Sequence, residues 1–224
     1  MVNGRLQSST MLLYYITDRK GFGGDESEQR AALLKRIAES ARADVDYIQL
    51  REKELGIVDL ELLAREALHV VRQNSVTTKL LINTHTEIAL ATGADGVHLP
   101  AESPPVSAVR VAWLDHSKRV PLIGVSAHSV ADVQRAEGDG ADFAVLAPIF
   151  EKVGTSIQGI GLEVLGRASA ESRLPVLALG GVNLANAQAC LDAGAAGIAG
   201  IRLFQQGEMA ETVKQLRELS ETKA

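Results

Sequence analysis

The sequence predicts a (β/α)8 barrel folded as one domain over residues 1–224, and three observations carry that expectation. A helix-like segment repeatedly ends in Gly-Ala plus a small or acidic residue and runs at once into a short β-branched stretch. Eight such short apolar stretches are separated by helical intervals. No Gly-x-Gly-x-x-Gly turn follows the first of them, which removes the main sign of a dinucleotide-binding sheet.

The recurring unit reads Gly93-Ala94-Asp95-Gly96-Val97-His98-Leu99, Gly140-Ala141-Asp142-Phe143-Ala144-Val145-Leu146 and Gly194-Ala195-Ala196-Gly197-Ile198-Ala199-Gly200-Ile201, with a weaker copy at Ala43-Asp44-Val45-Asp46-Tyr47-Ile48-Gln49-Leu50. Glycine suits the left-handed position after a helix C-terminus, and the apolar run is short enough for a strand buried on both faces. Parallel strands need crossover helices, so the repeat leads to an open doubly wound sheet or to a closed barrel. The strands fall at Leu12 to Ile16, Tyr47 to Arg51, Lys79 to Asn83, Gly96 to Leu99, Leu122 to Ser126, Phe143 to Leu146, Val176 to Leu179 and Gly197 to Ile201. Their number favours the barrel, and the length sits at the compact end of its roughly 200–400 residues.

Composition narrows the function classes. A chain of 224 residues that is 46% hydrophobic and 23% charged can bury one sizeable core. Its formal net charge of −5 argues against a nucleic-acid partner. Met11 to Ile16 is far shorter than the roughly 18 apolar residues of a membrane span, and no signal-peptide stretch is present. Lone Cys190 lies in the apolar helix Ala187 to Ala193 and reads as a small buried hydrophobe, which fits a reducing cytoplasm. Residues 1–10 and 220–224 are expected to be flexible tails.

In a barrel, chemistry collects where strands end and βα loops begin. Strands seven and eight end in Leu179-Gly180-Gly181-Val182 and Gly200-Ile201-Arg202, where adjacent glycines and helix amides would let a phosphate approach the backbone. The alternative is that Gly180 and Gly181 only make a tight turn. Strand two ends in Gln49, Arg51 and Lys53, which share one face if the strand extends that far. Two cations there suit a phosphate or diphosphate; otherwise Arg51 pairs with a structural acid and Lys53 is solvated.

Tyr15-Ile16-Thr17-Asp18, Ile48-Gln49-Leu50-Arg51-Glu52-Lys53, Leu81-Ile82-Asn83, Gly93 to Leu99, Gly124-Val125-Ser126-Ala127-His128-Ser129, Pro148-Ile149-Phe150 and Ala178-Leu179-Gly180-Gly181-Val182 follow one another along the chain. Together, from about Leu12 to Phe204, they resemble the thiamine-phosphate synthase and thiazole tautomerase superfamily. The resemblance implies a barrel, usually a homodimer, that binds a phosphorylated thiazole. Charge and the lack of a long apolar run leave no nucleic-acid or membrane partner expected. Synthases join hydroxymethylpyrimidine diphosphate to thiazole phosphate with loss of pyrophosphate and use magnesium. Tautomerases shift a proton within a thiazole carboxylate phosphate and need mainly an acid or base.

The resemblance would place Gln49, Arg51, Lys53, Asn83, Thr155, Gly180, Gly181, Gly200 and Ile201 around the ligand, and His128 at the proton transfer. Where the synthase pattern has two magnesium-binding aspartates, this chain has Thr84 and Ser103. Glu102 is displaced by one residue and Glu87 lies in the following helix, so no metal is expected except as a magnesium site altered around Glu102. The loop after Pro-Ile-Phe departs too, with Lys152, Thr155 and Ser156 still able to touch phosphate, and Arg202 stands where a small hydroxyl residue is usual. His98 reads as an inward residue or a core tie, His85 as a residue at the mouth or a surface cap, and His69 and His116 as solvated. The motifs thus favour a metal-independent tautomerase without cofactor. The alternatives are a synthase with an altered magnesium site, supported by the intact Gln49 to Lys53 segment, and a non-catalytic thiazole phosphate binder acting as regulator or carrier.

Overall fold

The computed structural model describes residues 11–151 and 158–221. Its strands are β1 (Leu12–Ile16), β2 (Tyr47–Leu50), β3 (Lys79–Asn83), β4 (Gly96–Leu99), β5 (Leu122–Ala127), β6 (Phe143–Leu146), β7 (Val176–Ala178) and β8 (Gly197–Gly200). Each pairs in parallel with the next and β8 pairs with β1, closing the barrel. The helices between them are α1 (Glu26–Arg42), α2 (Ile57–Asn74), α3 (Thr86–Thr92), α4 (Val106–His116), α5 (Val130–Gly138), α6 (Gly161–Ala170) and α7 (Ala187–Asp192). After β8 come the short α8 (Arg202–Gln205) and α9 (Met209–Glu221). The predicted strands are all present, with β2, β7 and β8 one residue shorter and β5 one longer. The proposed tails 1–10 and 222–224 lie outside the described residues, whereas 220 and 221 are the end of α9.

The glycines that announced the repeat do what their position demands. Gly93 closes α3 at φ 75°, and Gly140 and Gly194 follow α5 and α7 at φ 86° and 101°. In the weaker copy Asp44 takes that conformation at φ 56°, tolerable because a short polar side chain can bond locally. The aspartate two residues further on has a second task. Asp46, Asp95 and Asp142 accept the backbone N–H of Leu13, Leu80 and Ile123, each in the preceding strand, and each is ion-paired with an arginine, Arg217, Arg72 or Arg110. These ties sit at the N-terminal face of the barrel, where side chains serve stability.

Alternation along each strand divides the core in two. Leu13, Ile48, Leu80, Val97, Ile123, Leu146 and Ile198 face the helices in one buried layer. Tyr14, Ile16, Leu81, Phe143, Val145, Leu177 and Ala199 fill the barrel itself. Phe143 stacks on Tyr47 at 5.1 Å and meets Tyr14 edge-on at 5.3 Å. Gly124 makes this possible, since a Cβ there would come within 2.3 Å of the Phe143 ring and 2.9 Å of His98 Nδ1. Cys190 is buried, as expected. Among the described residues, no helix is long and apolar enough to cross a membrane.

Candidate functional site

Polar residues gather at the C-terminal ends of the strands. Gln49 is buried inside the barrel and donates from Nε2 to Asn83 Oδ1 at 2.9 Å, which joins the ends of β2 and β3. Arg51 follows half-buried, near enough to the buried His98 imidazole to oppose its protonation. The expected alternation stops there. β2 ends at Leu50, the Arg51 N–H bonds the Thr17 hydroxyl at 2.9 Å, and Lys53 sits exposed in the following turn. Lys53, Asn83, Thr84 and His85 line a cleft of about 260 Å³ between the loops after β2 and β3. Among the described residues, no carboxylate lies within ion-pair distance of Arg51 or Lys53. The adjacent acid, Glu52, is instead held by Thr17 and Arg19.

On the opposite side, Gly180 and Gly181 follow β7 at φ 93° and 68°. A Cβ on Gly180 would meet Pro148 at 2.7 Å, and one on Gly181 would meet the Phe150 Cβ at 2.7 Å. The carbonyls of Leu179 and Gly180 accept from Ile149 and Phe150, so this turn is sewn to the loop after β6. The tight-turn reading of the glycine pair therefore holds. The fold requires them, and their N–H groups have no acceptor among the described residues. Gly200 ends β8, and Ile201 precedes α8 beside them. Thr155, with Lys152 and Ser156, lies outside the described residues.

His128 stands exposed just past β5. Its Nδ1 is 2.8 Å from the Ala147 carbonyl oxygen. That oxygen only accepts, so Nδ1 carries a proton, and Nε2 has no partner among the described residues. Ser129 caps α5 by accepting from Asp132 N–H, and Asp132 accepts from the His128 N–H at 3.0 Å, which fixes the backbone there. The ring borders a groove of about 470 Å³ between α5 and α6, with Gln134, Ile160, Val164 and Arg167 along it.

His98 is a core tie inside the barrel. Its Nδ1 meets the Tyr14 hydroxyl at 3.1 Å and its Nε2 the Ser126 hydroxyl at 2.9 Å. Burial, with the Arg51 charge adding to it, pushes its pKa down to about 3, so the ring stays neutral. His85 precedes α3 and pairs with Glu87 at 2.8 Å without capping the helix through its side chain.

The residues at the would-be magnesium positions do not fit the ion. The Thr84 hydroxyl accepts from Asn83 Nδ2 at 3.1 Å, and the Ser103 hydroxyl donates to the Pro104 carbonyl at 3.1 Å. Glu102 is exposed and has no hydrogen bond or ion pair among the described residues. Among the described residues no three His, Cys, Asp or Glu side chains are grouped to hold a metal. Two neutral hydroxyls do not supply the hard anionic oxygens that magnesium prefers.

Residues 13–204 match the family described as thiamine monophosphate synthase. A chain of Aquifex aeolicus (strain VF5), provisionally named thiamine-phosphate synthase 2, is 41% identical over 196 residues, covering 86% of this chain and 96% of its own. The thiamine-phosphate synthase of Coprothermobacter proteolyticus is 35% identical and covers 98% of this chain and 99% of its own. Among solved structures, the thiamine phosphate pyrophosphorylase of Pyrococcus furiosus superposes with a TM-score of 0.78 at 26% identity, over 95% of this chain and 96% of its own.

Proposed function

The chain belongs to the thiamine monophosphate synthase family, and from that membership we propose that it is itself a thiamine-phosphate synthase, joining hydroxymethylpyrimidine diphosphate to a thiazole phosphate. The bond from the pyrimidine methylene to the diphosphate oxygen breaks, a bond to the thiazole nitrogen forms, and pyrophosphate leaves. This reverses the order of the two enzymatic readings drawn from the motifs, because the matched relatives carry the synthase name.

One observation supports the transferase most. Arg51 and Lys53, free of carboxylates among the described residues, stand at the end of β2, and the free glycine amides stand across the mouth after β7. Two anion-binding regions suit two phosphorylated substrates, whereas an isomerase needs one. Arg51 and Lys53 would meet the charge that develops on the departing pyrophosphate, and the amides near Gly180, Gly181, Gly200 and Ile201 would hold the thiazole phosphate. Gln49 and Asn83, bonded to each other, offer their remaining donors and acceptors to the pyrimidine.

The tautomerase reading retains one specific support. Thr84 and Ser103 replace both carboxylates, while His128 Nε2 has no partner among the described residues and would serve as the base. The two readings separate when the purified chain receives each set of substrates in parallel, with magnesium and with chelator. Thiamine phosphate formation supports the proposal. Isomerisation of thiazole carboxylate phosphate without thiamine phosphate formation, or tight binding without any product, overturns it.

A further inference from the structure

The connection after β1 is buried to an extent unusual for a barrel loop, with Thr17 fully covered and Arg19 only 3% exposed. The Thr17 hydroxyl stands between the Arg51 backbone and the Glu52 carboxylate. It accepts the Arg51 backbone N–H at 2.9 Å and donates to Glu52 Oε1 at 2.5 Å, and the other Glu52 oxygen accepts the Arg19 N–H at 3.0 Å. The Arg19 guanidinium reaches Glu54 at 3.3 Å and Glu26 at 2.8 Å, with its Nε 3.9 Å from Glu52.

This arrangement solves an electrostatic problem written into the sequence. Lys53 is flanked by Glu52 and Glu54, either of which would neutralise it or its neighbour Arg51 at these short separations. Glu52 is held by the Arg19 backbone N–H and Glu54 by the Arg19 guanidinium, so neither carboxylate is turned onto Arg51 or Lys53 at the barrel mouth. The Thr17 bond also sets the Arg51 backbone after the strand ladder has ended at Leu50.

We propose that Thr17, Arg19 and Glu52 are positioning residues that present Arg51 and Lys53, uncompensated, to a diphosphate. The inference rests on the synthase reading for the identity of that anion. Its signature is selectivity. Disturbing the latch weakens an anion at the end of β2 and leaves one held across the mouth by the β7 and β8 loops unaffected.

The test uses the full chain and calorimetric titration with two probes, inorganic pyrophosphate and thiazole phosphate. Thr17→Val removes the hydroxyl while keeping the side-chain shape, Thr17→Ala removes it without placing a second methyl beside Arg51, and Thr17→Ser retains it. Pyrophosphate affinity should fall at least about tenfold in Thr17→Val and in Thr17→Ala, and stay within about threefold in Thr17→Ser, with thiazole phosphate affinity unchanged throughout. Whichever of the two hydroxyl-free variants folds suffices. Equal pyrophosphate affinity in parent and hydroxyl-free variant overturns the latch while leaving the synthase reading standing, and parallel loss of both probes reduces it to general stability. A parent chain that binds no pyrophosphate overturns the diphosphate site and the latch with it.

Discussion

Asn83 donates its side-chain amide to the Thr84 hydroxyl at 3.1 Å, while the Thr84 backbone is held at φ 66°, a left-handed conformation that a β-branched residue rarely adopts. Asparagine and aspartate tolerate it far better. The backbone at this edge of the mouth therefore has the shape that suits the acid of the synthase pattern, although the acid is gone.

That strain gives the first prediction. A non-glycine residue held in this region costs on the order of 1–3 kcal/mol, so Thr84→Asn should raise unfolding stability by about 1 kcal/mol. Denaturant midpoints of the parent and variant measure it. A lower midpoint for Thr84→Asn would show that the threonine side chain earns its place by packing.

The second prediction restores the missing carboxylates. Thr84→Asp combined with Ser103→Asp should create magnesium affinity visible by calorimetry, because two anionic oxygens replace two hydroxyls already occupied by Asn83 and Pro104. A parent chain that binds magnesium as tightly as the double variant would contradict the assignment of those positions.

The third prediction concerns acid. Burial holds the folded pKa of His98 at about 3, below its unfolded value near 6.5, so its contribution to stability is fully present above about pH 6.5 and is lost as pH falls toward 3. Burial raises Glu52 to about 6, so its contribution is fully present below about pH 4.5 and is lost as pH rises through 6. Between pH 6.5 and 4, His98→Gln should lose less stability than the parent by about 2–3 kcal/mol, and between pH 4.5 and 7 Glu52→Gln should gain on the parent by about 2 kcal/mol. Unfolding free energies across that range decide both, and parallel profiles for all three chains would refute them.

The fourth prediction separates the two chemistries at His128. Forming thiamine phosphate removes no proton from carbon, so His128→Asn should leave synthase turnover within about tenfold of the parent, whereas loss of a general base costs about 10² to 10⁴. Steady-state rates with both substrates read this directly. A hundredfold loss of synthase turnover with unchanged affinity would place His128 in the transfer step.

The barrel was legible because its signals are local. Gly93, Gly140 and Gly194 each mark the end of a helix by a conformation that glycine reaches without penalty, and the strands follow at once. The site was legible only in part, since its particulars depend on partners distant in sequence. Lys53 looked like a continuation of the Gln49 and Arg51 face, but Thr17, 34 residues before Arg51, takes the backbone N–H and the strand stops. Glu52, the acid beside Arg51, accepts instead from the Thr17 hydroxyl and the Arg19 backbone N–H, which no spacing rule reveals. Gly180 and Gly181 read as a choice between turn and phosphate site, and contacts with Pro148 and Phe150 require the turn whatever the ligand. The repeated aspartates were visible, while their bonds to the preceding strand needed the register.

The synthase reading requires two anions at the mouth together, one at the end of β2 and one at the turns after β7 and β8. Titrating thiazole phosphate into the chain already saturated with pyrophosphate measures this most directly. The account predicts that thiazole phosphate still binds, with an affinity within about threefold of that for the free chain, because the two regions use separate groups. Full competition, in which its apparent affinity falls in proportion to pyrophosphate concentration, would mean a single anion site and contradict the two-substrate reading.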